Sequence, residues 1–235
     1  MRKIKYFFHI SLKIYKFLKI NIDWINMNHQ SKMAVSIYKN DIPQSLDLGS
    51  DIAVDTETMG LKFGRDRLCL VQIADSKGEV YFVQIDKNQK IAPNLAKLMT
   101  DESVVKIFHY ARFDIGVLYK NLNFMTRNIY CTKIASKLGR TFSQNHGLKN
   151  LVKEILSIDI SKEQQSSYWG ADTLSENQIN YAKQDVIYLH KIRQHLDKIL
   201  RREDRFGVFQ KTCHFLPTRC ELDSMGWEDL DPFSH

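Results

Sequence analysis

Proline and glycine are scarce. Four prolines and ten glycines are spread over 235 residues, too few for a collagen-like, fibrous or linker-rich chain. The four cysteines, Cys69, Cys131, Cys213 and Cys220, form no C-x-x-C pair and no zinc-like spacing with histidine. That excludes a disulfide scaffold and a structural zinc motif and points to reduced thiols in a cytoplasmic protein. Long hydrophobic runs are absent too. The best, Tyr6 to Leu12, is interrupted by His9 and ended by Lys13, short of the unbroken core of a secretory signal and of the about 20 apolar residues that cross a bilayer. No repeat or low-complexity stretch occurs. What is present, 43% hydrophobic and 26% charged residues, suits a globular domain with a full core.

Positive charge is abundant overall but thin where it would count. The net charge is +7 and the pI about 9.1, a balance that invites nucleic acid. Residues 1 to 30 hold six basic residues against Asp23 alone, which is +5; the remaining 205 carry 28 − 26 = +2. The division expected is a basic, hydrophobic leader over 1–32, peripheral or upstream of the natural start, and a single domain over 33–235 with a helical C-terminal extension. The leader interleaves Phe7, Phe8, Ile10, Ile14, Phe17 and Leu18 with lysines, so an amphipathic helix on an anionic membrane surface is the competing reading.

Three short apolar runs, 52–54, 68–74 and 80–85, separated by turn residues, predict an antiparallel meander. Beyond it, 93–100 reads as helix, 104–108 as strand, 113–122 as helix, 128–131 as strand, and 132–139 and 147–156 as helices. From Ser175 the apolar residues Ile179, Ala182, Val186, Leu189, Ile192, Leu196 and Ile199 recur at three and four, one stripe of a long amphipathic helix with capping chemistry at Ser175. Meander followed by alternating helix and strand predicts an α/β fold, a mixed five-stranded sheet flanked by helices.

Acidic residues occupy three places in this layout where a solvated surface is not the obvious reason. Asp55 and Glu57 are two apart on a strand and share a face. Two like charges that close are unfavourable unless a cation sits between them. Asp114 follows a buried-looking strand, and Tyr181 and Asp185 are four apart on one helical face. Each alone has an ordinary reading: a hydrated strand end, a helix N-terminal acid favoured by the dipole, a surface acid beside Lys183. Their combination and order carry the argument.

In that order the residues resemble the DEDD superfamily of 3′-5′ exonucleases, in the subgroup whose third motif carries tyrosine (DEDDy). Asp55-Thr-Glu-Thr-Met-Gly-Leu61, Arg67-Leu-Cys-Leu-Val-Gln72, Phe108-His-Tyr-Ala-Arg-Phe-Asp114, Tyr130-Cys-Thr-Lys-Ile-Ala-Ser136, His146-Gly-Leu-Lys149 and Phe215-Leu-Pro-Thr-Arg219 look like the compact RNase D-like nano-RNase C (NrnC-type) group. The likeness runs from about Met33 to the C-terminus. It implies an RNase H-like (DnaQ-like exonuclease) sheet and hydrolysis of short RNA, dinucleotides above all, to nucleoside 5′-monophosphates. A homo-oligomer such as an octamer is also implied, with no obligate protein partner and no membrane.

The chemistry fits the residues. Phosphodiester hydrolysis needs a hydroxide near neutral pH and counter-charge for the leaving oxygen, which two divalent cations meet. Asp55, Glu57, Asp114 and Asp185 would balance two Mg²⁺ or Mn²⁺ with hard oxygen ligands, and Tyr181, a neutral phenol, would orient water. Candidate substrate contacts are Leu61, as a wedge between bases or else a core leucine; His109, at the terminal nucleotide or else a buried, hydrogen-bonded histidine; Trp169, in a segment where Tyr168 replaces the aspartate usual in RNase D-like proteins; and Arg219, for a phosphate or else an ordinary surface arginine. A broader RNase D-like exonuclease on longer RNA or DNA is the alternative. A catalytically dead binding module is disfavoured because all four acids and Tyr181 are present. Mass spectrometry of the protein made from its own gene checks the leader: a start near Met33 is expected, and an intact 1–30 segment would contradict it.

Overall fold

The computed structural model describes residues 35–62, 64–161 and 163–234. The expectations for 1–32 lie outside the described residues. Six strands form one sheet: β1 (Val35–Lys39), β2 (Asp51–Thr58), β3 (Leu68–Asp75), β4 (Val80–Gln84), β5 (Val105–Phe108) and β6 (Ile129–Cys131). Their order is β1-β4-β3-β2-β5-β6. β2, β3 and β4 make the expected antiparallel meander, while β1 joins β4, and β5 and β6 extend β2, in parallel. The sheet thus has six strands where five were expected. β1 was missed because Val35-Ser-Ile-Tyr-Lys39 is only five residues long, stands at the expected domain boundary and is at most half-buried, its Ile37 42% exposed; pairing with β4 makes it a strand.

The central strands are buried along nearly their whole length, because helices lie on the sheet. The helices are α1 (Pro93–Thr100), α2 (Ala111–Leu122), α3 (Thr132–Gly139), α4 (Leu148–Leu156), α5 (Glu176–Ile187), α6 (Leu189–Arg202) and α7 (Phe206–Leu222). Pro93 opens α1, where its missing N–H costs nothing. Asn123 and Ser157 close α2 and α4 in left-handed conformation.

Two differences from the sequence reading bear on function. α2 begins at Ala111, two residues earlier than expected, so Asp114 falls in its first turn. The single long helix expected from Ser175 is two helices, interrupted at Tyr188 (φ −96°, ψ −14°). The apolar stripe runs through the interruption without losing phase, so periodicity could not reveal it. The break lets α5 lie on β2 and β3 while α6 packs on α3 and β5.

All four cysteines are free and buried. No helix among the described residues is long and apolar enough to cross a membrane. Phe108, fully buried at the end of β5, anchors the strand that leads into His109 and α2. Phe108→Ala is expected to cost about 3–5 kcal/mol, read from urea unfolding.

Candidate active site

The Asp55 and Glu57 side chains leave β2 on one face, near the bulge that breaks the β2–β3 register between Glu57 and Thr58. α5 crosses that face and brings Asp185. The nearest ligand oxygens of Asp55, Glu57 and Asp185 lie within 4.8 Å of one another. Asp114 lines the same cavity but stands outside that limit; its Oδ1 accepts a 2.7 Å hydrogen bond from the Thr56 hydroxyl. Thr56, between the two β2 acids, is a residue the motif reading passed over.

The electrostatics follow from burial. Desolvation raises the Asp55 carboxyl to about 7. Glu57 rises to about 10, chiefly through burial and then through Asp55, Asp185 and Asp114. Asp114 is pushed well above the carboxylate range by burial and by Asp55. Acids that resist ionisation because they face one another become carboxylates readily only beside a cation. Hard oxygen donors in this number suit a divalent metal ion.

Tyr181 hydrogen-bonds Asp185 one turn on, and burial followed by the charges of Asp185, Glu57 and Asp55 keeps its phenol neutral. The start of α5 is held by a capping box: Ser175 Oγ accepts from Gln178 N, and Gln178 Oε1 accepts from Ser175 N. Gln178 Nε2 also donates to Ser167 Oγ and to the Tyr168 carbonyl, both at 3.1 Å. One side chain thus ties the 164–169 segment to the helix that carries Tyr181 and Asp185.

These residues open into a cavity of about 520 Å³, with Leu61, His109, Tyr110, Lys133, Lys149 and Gln165 at its wall. Leu61 is 79% exposed, which removes the core-leucine reading. His109 Nδ1 lies 2.9 Å from Thr132 Oγ1, whose own proton goes to the Phe108 carbonyl. Nδ1 is therefore the donor and Nε2 the free acceptor. Burial, with Lys133 nearby, lowers this imidazole to about 3, so it is neutral.

Two expected substrate contacts are placed elsewhere. Trp169 is 2% exposed and does not line the cavity; its ring packs against Tyr181, centroids 6.0 Å apart. A large aromatic in a polar segment reads equally as a base platform or as a buried wall, and only packing distinguishes them. Arg219 is also turned away. Its guanidinium binds Asp223 at 2.9 Å and the carbonyls of Trp227 and Leu230, beside Arg112, which grips the same carboxylate at 2.7 Å. Arg219 fastens the C-terminal segment.

Lys133 and Lys149 were not singled out by sequence. They sit in the quoted segments Tyr130–Ser136 and His146–Lys149, which was the available signal. Lys133 Nζ stands 4.1 Å above the Tyr110 ring, and Tyr110 itself holds a left-handed backbone (φ 75°) at the entrance to α2. A larger groove, about 780 Å³, lies along edge strand β6 between Arg127, Arg193 and Phe209; it gathers no comparable group of acids.

A mixed sheet with acids collected at its central strand and on a helix laid across it defines a nuclease of the RNase H-like class. A family profile described as 3′-5′ exonuclease matches residues 24–201, and the chain belongs to that family. Among solved structures it is similar to NrnC of Brucella melitensis, at 46% identity and a TM-score of 0.83 over 87% of this chain and 100% of that one. The same Brucella protein has been solved bound to pGG (46% identity, TM-score 0.83) and with bound Mg²⁺ (45%, 0.82). Among curated proteins, ribonuclease D of Gluconacetobacter diazotrophicus is 33% identical over 154 residues, which is 66% of this chain and 39% of that relative's length.

The raised carboxyls give a pH dependence whose sign is set. A folded-state pKa above the ordinary value means that the folded protein binds more protons than the unfolded chain, so stability falls as pH rises between the two values. In chelator, the melting temperature is expected to drop as pH rises from about 4 toward 7, the window set by the ordinary carboxylate value of 3.8 and the raised Asp55. Mg²⁺ should reverse the drop and release protons on binding; differential scanning fluorimetry with and without EDTA checks this.

Proposed function

We propose that this protein is a metal-dependent 3′-5′ exoribonuclease that hydrolyses short RNA, dinucleotides and oligoribonucleotides, to nucleoside 5′-monophosphates. The observation that carries the reading is the convergence of Asp55, Glu57 and Asp185 within 4.8 Å, with Asp114 in the same cavity. Two divalent cations, Mg²⁺ or Mn²⁺, held by these four acids would lower the pKa of a bound water and stabilise the leaving 3′-oxygen. Tyr181, neutral and bonded to Asp185, orients the attacking water. Trp169 holds the Tyr181 ring in place from behind. Leu61 projects from the cavity rim as a wedge against the terminal bases, and neutral His109 offers Nε2 to a sugar hydroxyl or a base N–H. Lys133 and Lys149 supply positive charge at the wall of an otherwise acidic cavity.

A bounded cavity and a body charge of only +2 favour a short substrate over an extended strand, which needs a basic track along its backbone. The pGG bound by the Brucella relative supports the same reading for this chain. The second reading, an RNase D-like exonuclease on longer RNA or DNA, draws on the ribonuclease D similarity. A cytoplasmic homo-oligomer, such as an octamer, belongs to the proposal and is read by light scattering.

Asp55→Asn and Asp185→Asn are expected to abolish hydrolysis of a 5′-phosphorylated diribonucleotide while raising the melting temperature in EDTA, because each removes an acid from a site whose neighbouring carboxyls resist ionisation. Tyr181→Phe is expected to lower kcat by about 10²-fold or more. Turnover of the dinucleotide should exceed that of a 20-mer RNA or DNA under matched Mg²⁺ and salt; equal or better turnover of a 20-mer favours the second reading.

A further inference from the structure

Gln72 is fully buried in the middle of β3, and neither end of its side-chain amide has a hydrogen-bond partner. Such a group is costly to leave unpaired, and an interior amide normally finds partners. Its neighbours along the same face of β3, Leu70 and Ala74, are apolar, and so is Phe82 opposite it on β4. On the other flank the register is Asp55↔Gln72. Residues directly opposite across antiparallel strands point to the same face, with Cβ atoms about 4.5–5.5 Å apart. The Gln72 side chain therefore leaves the sheet next to that of Asp55, on the face that α5 covers with Tyr181 and Asp185. Gln84, on that face of β4, donates to the Ala171 carbonyl at 3.3 Å, so the segment carrying Trp169 closes the same layer.

We propose that Gln72 is a positioning residue for the acidic site. Its amide N–H₂ donates to the Asp55 carboxylate when that group is charged against a cation, and so fixes which oxygen faces the metal. Carboxylates that bind metals are themselves hydrogen-bonded, and those outer partners set ligand orientation. Among the described residues, the backbone N–H of Thr56 donates to Asp55, and a carboxylate has room for a second donor. Gln72 earns its place in an apolar layer through this bond; a purely structural glutamine would have found its partners in the metal-free fold. The inference rests on the metal-binding reading above and assigns the residue that makes the cage geometrically definite.

The test uses the full chain and Mg²⁺ alone. Gln72→Leu and the unbranched Gln72→Met each remove the amide and keep the volume. Both are expected to melt in EDTA at or above the wild-type temperature, because an unpaired buried amide has gone, yet to bind Mg²⁺ about 10- to 100-fold more weakly by calorimetry. Their Mg²⁺-induced rise in melting temperature should shrink accordingly, and dinucleotide turnover should recover partly at high Mg²⁺. Unchanged Mg²⁺ affinity in both variants, or loss of folding in EDTA by both, overturns the proposal. A wild-type protein that binds Mg²⁺ but hydrolyses no RNA would sink the proposed function and leave this assignment to the calorimetry; a wild-type protein that binds no Mg²⁺ overturns both.

Discussion

The structure turns on a repulsion. Asp55 and Glu57 are driven onto one face of β2 by the two-residue period of the strand, and α5 adds Asp185 to within 4.8 Å of both. Asp114 enters the same cavity from the first turn of α2. Burial raises Asp55, Glu57 and Asp114 well above ordinary carboxylates, and the charges of neighbouring acids raise Glu57 and Asp114 further. A fold that spends its hydrophobic core on holding acids together is built to be completed by a cation.

The surrounding polar contacts serve that gathering. Thr56 steadies Asp114 from the strand that bears two of the other acids. Gln178 caps α5 and holds the 164–169 segment against it, which seats Trp169 behind Tyr181. Thr132 sets the tautomer of His109. On the far side, Arg112, the residue two before Asp114, and Arg219 converge on Asp223, so the C-terminal segment is tied to the helix that delivers the second-motif acid. The cavity's sides differ in sign: an acidic floor, and lysines at the wall where Lys133 rests on Tyr110.

Much of this was legible in the sequence, and for identifiable reasons. The meander, α1, α3 and the strands β5 and β6 were readable because short apolar runs and their turn residues are local signals. The acids and Tyr181 were readable because their residue types and their order along the chain resemble the motifs of the DEDDy exonucleases. The edge strand β1 was not, since five residues at the expected domain boundary are too short a run to read alone; nor was the interruption at Tyr188, since both helices keep the same apolar phase. Trp169 was read as a substrate contact because its segment resembles the substrate side of RNase D-like proteins, and Arg219 because a guanidinium suits a phosphate, but the same groups suit a buried wall and a carboxylate clamp.

The sequence by itself determined the kind of chemistry and the acids proposed for it, through motifs that resemble those of 3′-5′ exonucleases, and most of the sheet that presents them, because strand and helix periods act over a few positions. Only the tertiary structure decided which side chains face the cavity, that Leu61 stands exposed at its rim while Trp169 is walled in, and that Gln72 stands opposite Asp55 across β2 and β3. Those are facts of register and packing. They depend on which segments, far apart in the chain, come to share one face of the sheet, and no local pattern encodes that.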